Sequence, residues 1–394
     1  MRTDFPCGAV GDGASLSYRC AAQHSVGITN PKKGSQLEAV KDEGFEGEAA
    51  ARAQTAKIFE WRRGFDAMFV IDLGVRLGLF RAFAEKSGAT PAEIAAKLGL
   101  HLPYLEVWCM TAYSLELLEV DADSRFRLPP YWENILANPM HPRYLGSLVQ
   151  LLAEFATEDF RRCLEGFRSG CTVPFKGRSD TFAHLVAEAT AGLNILTVRK
   201  VLPVLPGLVD RLNRGGRILD VGCGSGGLLI QLARAFPKSR CFGIDIDPTG
   251  LAAARVAIKE TGVSHQVEVL EGDVESITPI NSFDAALMVE VLHEVAPAQR
   301  LGLLQGCFRI LRPGGWLVIL DETYPSTLQE AREPEFRSAL QTGFEELIYG
   351  NIIPTRPEQE RLLREAGFTG EIRRAIIGQG LTLLTTQQGD TQRA

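Results

Sequence analysis

Several absences narrow what this chain can be. None of its eight cysteines stands in a Cys-x-x-Cys pair; Cys7, Cys20, Cys109, Cys163, Cys171, Cys223, Cys241 and Cys307 are scattered. That pattern predicts free thiols in a cytoplasmic protein and gives no support to a structural zinc site. A surplus of positive charge is also missing, since 42 Lys and Arg face 48 Asp and Glu for a net charge of −6. A nucleic-acid binder with a broad basic face and a polybasic membrane surface are both disfavoured. The apolar runs, such as residues 316–320, are strand-sized and fall far short of the ~20 residues of a membrane span. No transmembrane segment is therefore expected. The first residues have no cationic start followed by a continuous apolar stretch, so a secretory leader is not expected either.

What is present is an ordinary globular balance, 45% hydrophobic and 23% charged over 394 residues, a length that predicts two or three domains. Residues 1–50 mix Gly, Ser, charges and lone apolars without a period and read as a flexible or irregular tail. Residues 51–136 turn helical. Phe65, Met68, Phe69, Leu73, Leu77 and Phe80 recur at spacings of three and four, which gives one apolar helix face. Thr90-Pro91-Ala92-Glu93 supplies a hydroxyl cap, a proline at the first helical position and an acid in the first turn, so a helix runs to Leu98 and stops at Gly99. A second helix over about 102–115 and a hairpin over 117–128 complete a winged helix.

Winged helices suggest DNA, but the second helix, LPYLEVWCMTAYS, has no Lys or Arg and one acid, Glu106. Phosphate contact leans on Lys and Arg and base reading on Arg, Asn and Gln, all missing here. Leu102, Leu105, Val107, Trp108 and Met110 suit burial against another chain or domain, which predicts a dimerisation domain over 51–136 rather than a DNA reader. Residues 137–214 read as a helical connecting layer. From 215 to 394, strands over 217–221, 240–245, 267–270, 284–289, 316–321, 371–375 and 381–385 alternate with helical stretches, the pattern of a doubly wound parallel α/β sheet.

The site is written along that sheet. After the first strand comes Asp220-Val-Gly222-Cys-Gly224-Ser-Gly226-Gly227, whose glycines permit a tight turn and let a ligand approach a helix N-terminus. Asp245 ends the second strand, where a carboxylate can accept both hydrogen bonds of a ribose diol. Asp273, in Glu271-Gly-Asp273-Val274, follows the third strand and is placed to accept from an adenine amino group. The glycine spacing also fits dinucleotide folds, so a nicotinamide enzyme must be weighed. Asp220 argues against it, because an acid repels a pyrophosphate but attracts an ammonium group. S-adenosylmethionine has that ammonium, a ribose, an adenine and no phosphate.

With DVGCGSG, GIDID, EGD, FDAALMVEVLHE and LRPGG in order over about 214–386, the chain resembles the class I S-adenosylmethionine-dependent methyltransferases. The resemblance implies a Rossmann-like seven-stranded sheet with its last strand antiparallel. It also implies S-adenosylmethionine as cofactor, held by Asp220, Gly222, Gly224, Gly226, Asp245, Asp273 and Val274. The N-terminal half is similar to small-molecule O-methyltransferases whose winged-helix domain dimerises, which implies a homodimer and a small-molecule acceptor. Within that subfamily a catalytic His follows the fourth strand, and His293 stands there, although Glu294-Val295 replaces the usual Asp-Trp. An orienting acid ends the fifth strand, where Asp321-Glu322 stands; Glu322 is expected to be the partner.

The chemistry agrees independently. In-line methyl transfer asks mainly for positioning and proton removal, and a His near ~6.5 suits a phenol near ~10. Two other readings stay open. His293, Glu294, Asp321 and Glu322 could hold a metal, and ELIYGNIIPTRPEQERLLREAGF with LHEV upstream looks like methyltransferases that alkylate the carbon beside a 2-oxo acid carbonyl. The remaining histidines (His24, His101, His141, His184, His265) show no helical ligand spacing. A non-catalytic S-adenosylmethionine-binding regulator is the other reading. Substrate walls are expected near Phe65, Met68, Phe160, Phe175, Asn194 and Phe344.

Overall fold

The computed structural model describes residues 47–173, 178–378 and 380–389. The expected tail therefore lies outside the described residues except for its last few positions, as do Phe175, Cys7, Cys20 and His24. Contacts divide the chain between Phe59 and Glu60. Of the first unit the structure describes the opening of helix α1 (Glu48–Arg76), where Arg52 pairs with Glu48 at 3.1 Å.

In the second unit α1 ends before Gly78, which takes a left-handed φ of 70° and starts α2 (Leu79–Glu85). Helix α3 (Pro91–Leu98) opens with the expected capping box, Thr90 and Glu93 satisfying each other's backbone N–H, and closes on left-handed Gly99. Helix α4 (Leu102–Ser114) leads to β1 (Glu119–Val120) and β2 (Phe126–Arg127), an antiparallel pair. Phe80, Phe83, Ile94, Leu105, Trp108 and Cys109 form the core here, and Trp108 Nε1 donates to Val70 O at 2.9 Å. The apolar stripe expected on one helix divides. Phe80 belongs to α2 and is buried, whereas Phe65 on α1 is 56% exposed and Leu73 and Leu77 are exposed too. Helix α4 divides likewise: Leu105 and Trp108 face the core, while Val107 and Met110 are 67% and 62% exposed.

Helices α5 (Gly146–Leu151), α6 (Thr157–Ser169), α7 (Asp180–Leu196) and α8 (Leu208–Asn213) form the next layer. Asp180–Val204 is long and apolar enough to cross a membrane, with mean hydropathy 1.2. Its hydropathy is spread over Ala, Gly, Val and Leu instead of one unbroken run. Asp180, His184, Glu188, Arg199 and Lys200 interrupt it, and α7 packs against α5 and α9 (Gly227–Ala235).

The sheet contains β3 (Arg217–Val221), β4 (Arg240–Asp245), β5 (Val267–Glu271), β6 (Phe283–Val289), β7 (Leu311–Asp321), β8 (Arg373–Ile377) and β9 (Leu381–Gln387). Its order is β5-β4-β3-β6-β7-β9-β8. Strands β3 to β7 run parallel, and β9 is antiparallel to both neighbours. This is the expected doubly wound seven-stranded sheet. Side chains alternate across it. Ile218, Leu287, Val318 and Leu320 pack on the face covered by α8 and α9. Leu219, Met288, Leu317 and Ile319 pack on the other, under α11 (Pro297–Ile310) and α13 (Arg356–Glu365). Strand order reverses at β3 and β6, so their C-terminal ends flank the crevice where such sheets bind ligands.

Candidate active site

The glycine loop between β3 and α9 is held by its neighbour strand. Gly222 N and Cys223 N both donate to Ile244 O, at 2.8 and 3.2 Å. Gly222 has a φ of 70°, and a Cβ there would lie 2.7 Å from Val291 Cγ2, so only glycine fits. Gly224 and Gly226 are left-handed as well. Asp245, at the end of β4, closes the loop: its Oδ2 accepts from Gly224 N and its Oδ1 from Asp247 N, both at 2.8 Å. Each oxygen keeps a second lone pair, so the carboxylate that shapes the loop can still accept from a ribose diol. Asp220 is buried, and burial together with the Asp245 charge pushes its carboxyl well above the usual range. A cationic group brought to it would restore the charge.

Asp273 is exposed and caps a short turn, its Oδ1 accepting from Glu275 N at 3.2 Å. The Val274 side chain goes elsewhere. It is buried in the core, so close to Gly306 that a Cβ there would meet it, and can offer a ligand only its backbone. Asn194 Nδ2 lies 2.8 Å from where a Cβ on Gly227 would stand, which places it over the start of α9. Phe160 on α6 stacks on Phe344 of α12 (Arg337–Leu347) at 5.4 Å and 17°. Those two helices are tied nearby, where Arg178 pairs with Asp159 at 2.6 Å and donates to Tyr349 Oη at 3.1 Å. Phe65 and Met68 stay on α1, where Phe65 packs on Phe69 of the same helix at 4.9 Å.

His293 follows β6 and is 3% exposed. Its Nδ1 lies 2.6 Å from Asp321 Oδ1, and its backbone N–H donates to Asp321 Oδ2 at 3.2 Å. The acid that meets the ring is therefore Asp321, where Glu322 was expected; the Glu322 backbone N–H donates to Asp321 Oδ1 at 2.7 Å. Strand alternation explains the correction: Asp321 shares a face with Leu317 and Ile319, and Leu292 beside the histidine packs in that same core. Burial opposes charge on the imidazole, but Asp321, with Glu290 and Glu294 behind it, outweighs it and His293 is raised well above 6.5.

Arg300, fully buried on α11, escaped the sequence reading; its one signal is a lone arginine among apolars in PAQRLGLL. Its Nε donates to Val295 O and its Nη1 to Glu358 Oε1, each at 2.9 Å, and its Nη2 to Ile352 O. The loop carrying His293 is thereby braced against α13. Glu290, ahead of that loop, has a left-handed φ of 57°, a strained state for a residue other than glycine.

A sheet reversing at β3 and β6, with a glycine cradle after one strand and an acid closing it from the next, defines a nucleoside-binding α/β enzyme. Comparison with known proteins defines it further. A methyltransferase domain matches residues 218–315. The chain is 29% identical over 254 residues to the 3-hydroxy-5-methyl-1-naphthoate 3-O-methyltransferase of Streptomyces sahachiroi, covering 62% of this chain and 70% of that one. It is 30% identical to the ubiquinone biosynthesis O-methyltransferase of Thiobacillus denitrificans, covering 45% of this chain and 75% of that one. Human N-acetylserotonin methyltransferase, solved with S-adenosylmethionine, superposes with a TM-score of 0.71 at 19% identity over 86% of this chain and 98% of that one. The chain belongs to the class I S-adenosylmethionine-dependent methyltransferases, in the group of small-molecule O-methyltransferases. The residues present fit that cofactor: the cradle takes positive φ at Gly222, Gly224 and Gly226 and leaves no room for a Cβ at Gly222, and Asp220 is an acid with a raised proton affinity beside it.

Proposed function

We propose that the chain methylates a hydroxyl oxygen on a small aromatic or heterocyclic acceptor, with His293 as general base. The observation that carries this reading is the buried His293–Asp321 pair, 2.6 Å apart, at the sheet edge next to the cofactor loop. Bound S-adenosylmethionine supplies an electrophilic methyl on a sulfonium. Asp220 would face its ammonium, Gly222, Gly224 and Gly226 would let its chain lie against the backbone, Asp245 would accept from the ribose, and Asp273 with the Val274 backbone would meet the adenine. Asp321 fixes the ring tautomer with the proton on Nδ1 and leaves Nε2 to take the acceptor's hydroxyl proton. Raising His293 narrows its gap to a phenol near ~10, which makes that transfer less uphill. The same shift leaves less of the ring in the basic form at neutral pH.

Metal-assisted C-methylation asks His293 and its carboxylates to converge on one ion. Among the described residues no three His, Cys, Asp or Glu side chains do so, and Asp321 occupies Nδ1. These features favour the base. The exposed apolar sides of α1 and α4 support a homodimer through the N-terminal helices, and the absence of Lys and Arg from α4 supports a partner other than nucleic acid. The six described cysteines are free, in keeping with a cytoplasmic enzyme.

The test is release of S-adenosylhomocysteine with phenols, heteroaromatic amines and 2-oxo acids offered in parallel, each with and without chelator. Turnover on hydroxylated acceptors that ignores chelator and vanishes in His293→Ala is expected. Turnover confined to 2-oxo acids and abolished by chelator would overturn the reading.

A further inference from the structure

More carboxylates gather around His293 than a general base needs. Glu290 and Glu294 flank the ring from its own loop, and Asp321 and Glu322 approach from the end of β7. Glu346 on α12 adds its charge to the surroundings of Glu294 and Glu322. Asp321 is committed to the ring and to the Glu322 backbone N–H. The others are not so engaged. Glu290 Oε1 and Glu322 Oε2 are buried with no hydrogen-bond partner among the described residues, and Glu322 is 3% exposed. Its other contact is the Thr342 side chain.

The one cation facing them among their main charged neighbours is His293, which lowers all three, and no Lys or Arg joins it. The charged neighbours that shift Glu290, Glu294 and Glu322 are other carboxylates and His293. Arg300 donates instead to Val295 O, Ile352 O and Glu358. Loss of water is the largest influence on Glu290 and Glu322 and raises both, Glu322 to about 7. Glu294 is exposed. Buried carboxylate oxygens without a donor are costly, and a ligand that donates to them recovers that cost on binding.

We propose that the acceptor carries a basic nitrogen, an ammonium or a protonated amine, seated between Glu290 and Glu322 beside the oxygen that His293 deprotonates. This rests on the reading of His293 as the base. An organic cation fits better than a metal ion, because the carboxylates do not converge as ligands among the described residues. The cofactor's ammonium cannot serve both ends of the site. Asp220 lies on β3 and Glu322 follows β7, with β6 between them, so the two strands are ~10 Å apart. The cofactor's sulfonium has charge but no hydrogen to donate.

The test uses matched phenols that differ in one amine, tyramine against 4-ethylphenol, titrated calorimetrically into enzyme saturated with S-adenosylhomocysteine. Tyramine is expected to bind at least about tenfold more tightly, the effect of a charge-assisted hydrogen bond. Glu290→Gln and Glu322→Gln are each expected to shrink that ratio while still binding S-adenosylhomocysteine, which shows that they fold. An amine that fails to bind, that binds no more tightly than 4-ethylphenol, or that keeps its advantage in both variants overturns the proposal. Saturable Mn²⁺ binding to chelator-treated enzyme, lost in Glu322→Gln, overturns it in favour of a metal. His293-dependent methylation of neutral phenols without amine preference sinks this proposal and leaves the proposed function standing. Selective amine binding with no methyl transfer to any hydroxyl does the reverse.

Discussion

Asp321→Asn removes a charge and, at the Oδ2 position, the acceptor of the His293 backbone N–H, a loss that does not depend on pH. The amide keeps the size of the carboxyl and an oxygen that can accept from His293 Nδ1, now 2.6 Å away, and from Glu322 N at 2.7 Å. What also disappears is the largest of the charges that hold the imidazole above 6.5 against its own burial, Glu290 and Glu294 remaining. In Asp321→Asn burial acts unopposed by that neighbour, so the ring's proton affinity falls. A raised histidine stabilises the fold fully below its unfolded value of ~6.5 and loses that contribution as pH climbs through the folded value. The variant should therefore lose most at low pH. Stranding one member of a buried pair costs about 3–5 kcal/mol, whereas weakening a bond to a neutral ring costs about 1 kcal/mol. Urea unfolding at pH 6 and pH 9 should show the larger loss at pH 6. Ring ¹⁵N spectra should place wild-type His293 above the other histidines and the Asn variant below its parent. Turnover should drop by roughly 10²–10⁴, the span general base catalysis supplies, and the remaining activity should rise at lower pH than in the parent. Wild-type His293 titrating at or below 6.5, or an equal loss at both pH values, would refute the reasoning.

Three further outcomes follow from the same geometry. Glu322 is raised from 4.5 to about 7 mainly by burial, so ionising it weakens the fold as pH rises across that window. Glu322→Gln should then gain up to ~3 kcal/mol over its parent at pH 8 and nothing near pH 4; a thermal-melting difference that stays flat with pH would contradict this. Gly222→Ala forces a side chain into a φ of 70° and against Val291 at 2.7 Å, so S-adenosylhomocysteine affinity should fall on the order of tenfold to a hundredfold, and unchanged calorimetric affinity would count against the cradle. Val107→Glu with Met110→Glu places charge on the exposed side of α4. Light scattering should show the dimer shifting to monomer, and a wild-type chain already monomeric at micromolar concentration would remove the dimer proposal.

Much of the catalytic half was legible because a parallel sheet writes its site at one edge. Every strand in such a sheet ends on the same side, so acids at successive strand ends converge whatever lies between them. Order alone therefore places Asp220, Asp245 and Asp273 at one edge of the sheet. Packing could not be read the same way. Val274 looks like any residue after a strand-end acid, and only the approach of α11, with Gly306 against it, turns its side chain inward. On α1 and α4 the period shows an apolar face but not what covers it. Phe65, Val107 and Met110 stay exposed because the core they might have joined is already filled by Phe80, Leu105 and Trp108.

The adjacent acids Asp321 and Glu322 show where a closer reading would have sufficed. Residues 317 and 319 are apolar, and so are 318 and 320, so hydropathy alone does not say which set faces the histidine loop. The topology does. Strand β6 pairs with β7, Met288 lies opposite Ile319, and Leu292 packs with both in one core. The loop carrying His293 therefore leaves β6 on the face shared by 317, 319 and 321. A carboxylate at 321 meets the ring, and one at 322 is turned away from that contact. Glu322, freed from the ring, is then left buried with an unsatisfied oxygen. Its other contact is the Thr342 side chain, so one oxygen alone stays open among the described residues.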